Sequence, residues 1–199
     1  MVVAFHYTNP KAKQELKRMN RILVLYGTGE GQTQKIANAI GDAMRANGLD
    51  VDVIQAGHMD PDPDQYTGVI VAASVHAGGY QKPVGEWLRA HVAQLGRMPT
   101  AFVSVCLSIL SKNEAGRQEA VAIPQRFVDG IQWHPTVVKI VAGALLYTQY
   151  NFVTRWIMKR IVASAGGYTD TSHDYEYTDW DDLKAFAGEF GRRIRAAAA

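Results

Sequence analysis

Cysteine is nearly missing: Cys106 stands alone in 199 residues. No disulfide can form within the chain, and no zinc or iron–sulfur centre can be built from cysteines, a usage that fits a reducing compartment. Long apolar runs are missing too. No uncharged stretch reaches the roughly 18 residues of a membrane span, and residues 1–20 lack the apolar core of a secretory signal. The expected location is cytoplasmic, with a peripheral place on the inner face of the cytoplasmic membrane as the open variant. Strong charge is absent, since 21 Lys and Arg oppose 19 Asp and Glu for a net +2, which gives no reason to expect a nucleic-acid partner. No His, Asp and Glu set stands at metal-ligand spacing, so no metal is expected, and His173-Asp174 reads as a loop pair. What is present is a 47% hydrophobic, 10% aromatic chain, enough for one domain with a sizeable core.

The most informative stretch is 22–33, Ile-Leu-Val-Leu-Tyr-Gly-Thr-Gly-Glu-Gly-Gln-Thr. Five β-favouring apolar residues, Ile22 to Tyr26, predict a strand buried on both faces of a parallel sheet. Glycines 27, 29 and 31 then allow close approach of the main chain, while Thr28 and Thr33 add hydroxyls. From Thr33 the apolar residues Ile36, Ala37, Ile40 and Met44 recur at helical spacing up to a stop at Asn47-Gly48. Amides at the head of such a helix meet an anion well. No lysine lies between Gly27 and Thr33, so the triphosphate-binding loop with its Gly-Lys-Ser/Thr is excluded. The glycines run G-x-G-x-G, and the second strand ends at Gln55 without an acidic residue, which disfavours a dinucleotide. A single terminal phosphate, as in a flavin mononucleotide, remains; an ordinary Gly- and Thr-rich turn is the plain alternative.

Further strands are expected at 49–55, 69–73, 101–107 and 137–144, with helices around 83–95, at 118–129 about Pro124, and from Asp179-Trp180 through Ile194. Asp60-Pro61-Asp62-Pro63-Asp64 is a turn. Strands alternating with helices specify an α/β fold, a doubly wound five-stranded parallel sheet covered on both faces. Its ligand belongs beyond the carboxyl ends of the strands, where 27–32, 74–80 and 106–112 converge. The first loop would hold phosphate and the other two would flank a planar ring, with Tyr80 the better stacking candidate and Trp87, Trp133 and Trp180 packing residues. His76 faces this ring or is a surface histidine. Cys106 is a small apolar filler at a strand end.

The chain resembles the flavodoxin superfamily and, within it, the flavodoxin-type, quinone-dependent protoporphyrinogen oxidases. The resemblance is carried by Gly-Glu-Gly-Gln-Thr at 29–33, Ala-Ser-Val-His-Ala-Gly-Gly-Tyr at 73–80, Met-Pro-Thr-Ala-Phe-Val-Ser-Val at 98–105, Ile-Gln-Trp-His-Pro at 131–135, Val-Ala-Gly-Ala-Leu-Leu-Tyr at 141–147, Ser-Ala-Gly-Gly-Tyr-Thr-Asp-Thr at 164–171 and Tyr-Thr-Asp-Trp at 177–180. It implies FMN as cofactor, bound by Thr28, Gly29, Glu30, Gly31, Gln32 and Thr33 at the phosphate and bordered by Ser74, Val75, His76, Gly78, Gly79, Tyr80, Cys106, Leu107 and Ser108 at the ring. It also implies oxidation of protoporphyrinogen IX to protoporphyrin IX with a membrane quinone as acceptor. No catalytic side chain is assigned. The chain departs from the family at Gly27, where a hydroxyl residue is usual, and lacks basic residues expected near His76, Leu146, Gln149 and Asn151.

Domain organisation follows as an amino-terminal extension, 1–20, carrying Lys11, Lys13, Lys17 and Arg18, and one flavodoxin-like domain, 21–199. A helical insertion of about 145–175 separates the last strand from the last helix, far longer than an ordinary connection. Within it Phe152 to Ala165 is helix-like, with Arg155, Lys159 and Arg160 beside Phe152 and Trp156, before Gly166-Gly167. Such a face suits peripheral membrane contact, a porphyrinogen's two carboxylates, or a lid with solvated charges, and the sequence leaves the three open. The competing functions are an electron-carrier flavodoxin, against which the slightly basic balance argues, and a flavin-dependent quinone or NAD(P)H reductase.

Overall fold

The computed structural model describes residues 21–76, 78–148 and 170–198. The extension 1–20 and the predicted insertion helix 152–165 with its Gly166-Gly167 stop lie outside them. Strands β1 (Arg21–Gly27), β2 (Asp50–Gln55), β3 (Gly68–Ser74), β4 (Thr100–Val105) and β5 (Val137–Val141) form a five-stranded sheet in the order β2-β1-β3-β4-β5, parallel throughout. The doubly wound fold expected from the alternation is the one observed. Successive strands run outward from β1 in opposite directions, so the order reverses between β1 and β3, and the crevice for a ligand opens above their carboxyl ends.

Alternation along β1 sends its side chains to two separate cores. Ile22, Val24 and Tyr26 meet α1 (Gln32–Ala46) and the last helix, α4 (Trp180–Ala198), through Ile36, Ile40, Met44, Leu183 and Phe190. Leu23 and Leu25 meet α2 (Lys82–Leu95) and α3 (Glu114–Ile131) through Val84, Leu88 and Val128, with the fully buried Phe102 of β4 in the same core. Trp87 and Trp133 are packing residues of this second core, and the Trp87 indole donates to Pro61 O at 3.1 Å.

Two strand ends differ from expectation, and both differences shape the crevice. The strand predicted at 101–107 stops at Val105. Cys106 remains extended, donating its amide to Val141 O at 2.9 Å, and Leu107–Leu110 turns into a short 3₁₀ helix. The strand predicted at 137–144 stops at Val141. There Thr178 Oγ1 donates to Ala142 O and the Tyr177 amide to Gly143 O, drawing the chain off the sheet. It continues as β6 (Ala144–Leu145), which pairs antiparallel with β7 (Tyr175–Glu176). The described ends of the insertion thus form a small sheet of their own, closed further out by Thr148, whose amide and hydroxyl both donate to Asp174. α3 starts four residues earlier than predicted because Asn113 caps it, its side chain accepting from the Ala115 amide.

Candidate functional site

A cleft of about 470 Å³ lies above the carboxyl ends of β1, β3 and β4. β1 leads into a turn in which the Gly31 amide donates to Thr28 Oγ1 at 2.9 Å and Gly31 itself takes φ +90°, a conformation that glycine reaches without a Cβ penalty. This turn delivers the chain into α1 at the edge of the cleft, which Gln32 and Thr33 line. No side chain caps α1, and its first turn holds no carboxylate. Among the described residues, the amides of Gln32, Thr33 and Gln34 meet no acceptor, as expected of an uncapped first turn. Thr33 is 1% exposed and its Oγ1 has no partner; Gln32 is 6% exposed and its Oε1 has none. Buried hydroxyl and amide oxygens are seldom left unpaired, so this loop is complete only with a polar group in the cleft. An anion held by main-chain donors and the Thr33 hydroxyl fits.

The facing wall comes from β3 and is made differently. Ser74 Oγ accepts from Gln81 Nε2 at 2.8 Å and contacts His76 Nε2 at 3.2 Å. His76 and Gly79 exchange both main-chain hydrogen bonds, at 2.8 and 3.0 Å, so the loop is a tight reversal. The His76 ring lies over the first loop: a Cβ on Gly29 would come within 2.9 Å of Nε2. The third wall is Cys106, Leu107 and Ser108, closed by Ile123 and Glu119 of α3 and by Gly143 and Ala144 where the chain leaves the sheet.

Of the residues expected at the site, Thr28, Glu30, Gln32, Thr33, Ser74, Val75, His76, Gly78, Cys106, Leu107 and Ser108 line this cleft. Gly29 and Gly31 shape it through the main chain. Tyr80 does not stack there, contrary to expectation. Its ring packs against Phe102 and Phe127 with centroids 5.0 and 4.6 Å away, and its hydroxyl meets Ser104 Oγ at 2.7 Å. Burial drives the choice: an aromatic ring with a polar tip gains more between two phenylalanines and a buried serine than on an open rim. Gly79 likewise serves the reversal and does not line the cleft. Sequence reading missed Val105, Glu119, Ile123, Gly143 and Ala144. The i, i+4 spacing of Glu119 and Ile123 marks one helix face, but only the packing of α3 in the folded chain shows that this face meets the cleft.

The charged lining is acidic. Glu30 and Glu119 border the cleft, and no lysine or arginine does so among the described residues. Arg126 pairs with Glu119 through both guanidinium nitrogens, at 2.5 and 3.3 Å, and holds its carboxyl below the usual range. The described residues contain no cluster of three metal-ligating side chains, and no helix among them is long and apolar enough to cross a membrane.

A family model described as Flavodoxin domain matches residues 23–172. The protoporphyrinogen IX dehydrogenase [quinone] of Escherichia coli strain K12 is 32% identical over 170 residues, covering 85% of this chain and 93% of that protein. The Leishmania major protein of the same name is 32% identical over 176 residues, covering 85% of this chain and 74% of that one. Among solved structures, oxidised Flavodoxin 1 of Bacillus cereus superposes with a TM-score of 0.53 at 14% identity, covering 86% of this chain and 97% of that one. The flavodoxin of Streptococcus pneumoniae TIGR4 does so with a TM-score of 0.54 at 18% identity, covering 87% and 99%. These two show the fold. The flavodoxin domain supports a flavin cofactor, and the unpaired groups at the head of α1 are compatible with one. The chain belongs to the flavodoxin domain family, as an oxidoreductase akin to the protoporphyrinogen IX dehydrogenases.

Proposed function

We propose that this chain is an FMN-dependent enzyme that oxidises protoporphyrinogen IX to protoporphyrin IX and passes the electrons to a quinone. The observation that carries the cofactor is the buried, unpartnered Thr33 hydroxyl at the uncapped head of α1. A nucleotide with one terminal phosphate satisfies that end without any lysine. The substrate and acceptor are supported by the names of relatives that align along most of their length.

The amides of Gln32, Thr33 and Gln34 and the Thr33 hydroxyl would hold the phosphate, while Val75, His76 and Gly78 on one side and Cys106, Leu107 and Ser108 on the other would border the ring. When bound, the flavin supplies two-electron redox chemistry. The chain's residues position and shield it. Val105, Ile123 and Ala144 exclude water from the cleft floor, and Ser74 fixes the His76 ring at its exposed rim. We further place the protein in the cytoplasm, working against the inner face of the membrane that holds the quinone, where the basic and aromatic residues between 152 and 165 would make contact.

Anaerobic incubation of flavin-loaded protein with protoporphyrinogen IX and a soluble quinone tests this reading. Porphyrin fluorescence should rise only with both present. Bleaching of the flavin by NAD(P)H, without porphyrinogen turnover, would instead indicate a nicotinamide-linked reductase.

A further inference from the structure

Gln32 carries an asymmetry that the phosphate alone does not explain. Its Nε2 donates to Glu176 Oε1 at 2.7 Å and to Thr178 Oγ1 at 3.0 Å. Thr178 spends its own hydrogen on Ala142 O at 2.8 Å, so toward Gln32 it can only accept, as can an ionised carboxylate. Two acceptors on one side fix the orientation of the amide, since a flipped Gln32 would set oxygen against oxygen. The Oε1 atom is therefore the one left over, buried, without a partner, on a residue that lines the cleft. A carbonyl oxygen needs a donor. An ionised phosphate offers none, whereas the hydroxyls of a polyol chain do.

We propose that Gln32 is a positioning residue joining the cofactor to the β6–β7 strand pair: Oε1 accepts from a hydroxyl of the flavin's polyol chain, while Nε2 holds Glu176 and Thr178. This rests on the flavin reading and extends it. The polyol hydroxyl becomes a recognised feature of the cofactor, and its binding stiffens the strand pair from which the insertion leaves and to which it returns. Thr178 transmits the effect at the point where the chain parts from β5.

The test compares FMN with a flavin whose side chain is an unbranched alkyl phosphate lacking the hydroxyls, titrated into apoprotein by fluorescence. The wild type should bind FMN roughly tenfold more tightly than the alkyl analogue, the scale of one buried hydrogen bond. Gln32→Met should lose that preference, weakening FMN and sparing the analogue. Amide hydrogen exchange at 144–148 and 175–178 should slow on FMN addition in the wild type and not in Gln32→Met. Thr178→Val, which leaves Oε1 in place, should keep the preference for hydroxyls while reducing the protection. Equal weakening of both ligands by Gln32→Met, or unchanged protection in both variants, would overturn the proposal while leaving flavin binding intact. If the wild type binds neither ligand, the flavin reading itself fails and this inference falls with it.

Discussion

The loops that follow β1 and β3 face the same cleft and are built by opposite means. Residues 27–33 work through the main chain: an amide-to-hydroxyl turn, one left-handed glycine and a helix head with unpaired donors. Residues 74–81 work through side chains, with Gln81, Ser74 and His76 in one chain of contacts and Tyr80 tied to Ser104. A main-chain site depends on local conformation, so glycines and threonines announce it. A side-chain site depends on partners supplied by distant strands and helices. The two loops should therefore respond differently to substitution.

The largest effect is expected where the loops touch. A Cβ on Gly27 would lie 2.5 Å from Val84 Cγ2 and 2.9 Å from Gln81 Oε1, so Gly27→Ser should cost about 3 kcal/mol of stability by overpacking, measured as a lowered urea midpoint. The absence of a hydroxyl residue at this position is thus a packing requirement of α2. Because the Gln81 oxygen is itself buried and unpartnered, a serine could donate to it once room exists. Gly27→Ser combined with Val84→Ala should consequently be more stable than the two single losses predict, a coupling readable in a double-mutant cycle. Strict additivity would show that the loops are independent.

Next in size is Thr33→Val, which removes the unpartnered hydroxyl without changing shape. The apoprotein should be as stable or slightly more so, because no internal hydrogen bond is lost, whereas affinity for FMN should fall by about 2 kcal/mol, the scale of a bond to a charged group. Fluorescence titration separates the two readouts. A loss of stability with unchanged affinity would place the hydroxyl in the fold and not in the site.

The parallel sheet and the main-chain loop were legible because they rest on local signals: five apolar residues at 22–26, a Gly/Thr turn, and helical spacing from Ile36 to Met44. Tyr80 was misread because its surroundings come from β4 and α3, and no local pattern shows that Phe102, Phe127 and Ser104 converge on it. The end of β5 was misread for the same reason. Residues 137–141 are continuously strand-like, and the bond that draws the chain off the sheet just beyond them comes to Ala142 O from Thr178, 36 residues farther along than Ala142. Glu119 and Ile123 already lay in the helix expected at 118–129, but that their face meets the cleft is set by tertiary packing, which no local pattern shows.

A smaller effect is expected from Tyr80→Phe. The ring contacts survive, but Ser104, fully buried, loses its partner, which should cost about 1 kcal/mol. Adding Ser104→Ala should recover most of it, since removing both members of a buried pair is nearly neutral. Thermal unfolding of the single and double variants would decide. Full additivity of the two losses would mean that the hydroxyl pair contributes nothing and that Tyr80 is held by its ring alone.

The contrast also predicts a pH signature that is absent at neutrality and appears only in alkali. Burial holds the Tyr80 phenol well above its ordinary value of 10, and Tyr66 is pushed up to about 12 by burial and its bond to Asp52. Above pH 10 the unfolded chain releases these protons while the folded one keeps them, so stability is complete below pH 10 and falls as pH rises beyond it. Burial raises the Tyr147 phenol as well, so Tyr80→Phe removes one of three contributions and should flatten the decline, leaving the parts due to Tyr66 and Tyr147. Thr33→Val should decline in parallel with the wild type, because the loop after β1 contains nothing that titrates there through burial. Urea midpoints followed from pH 9 to 11 supply the measurement. A slope unchanged by Tyr80→Phe would mean that the phenol is solvated in solution, and the side-chain architecture assigned to the loop after β3 would then be incorrect at the Tyr80–Ser104 contact.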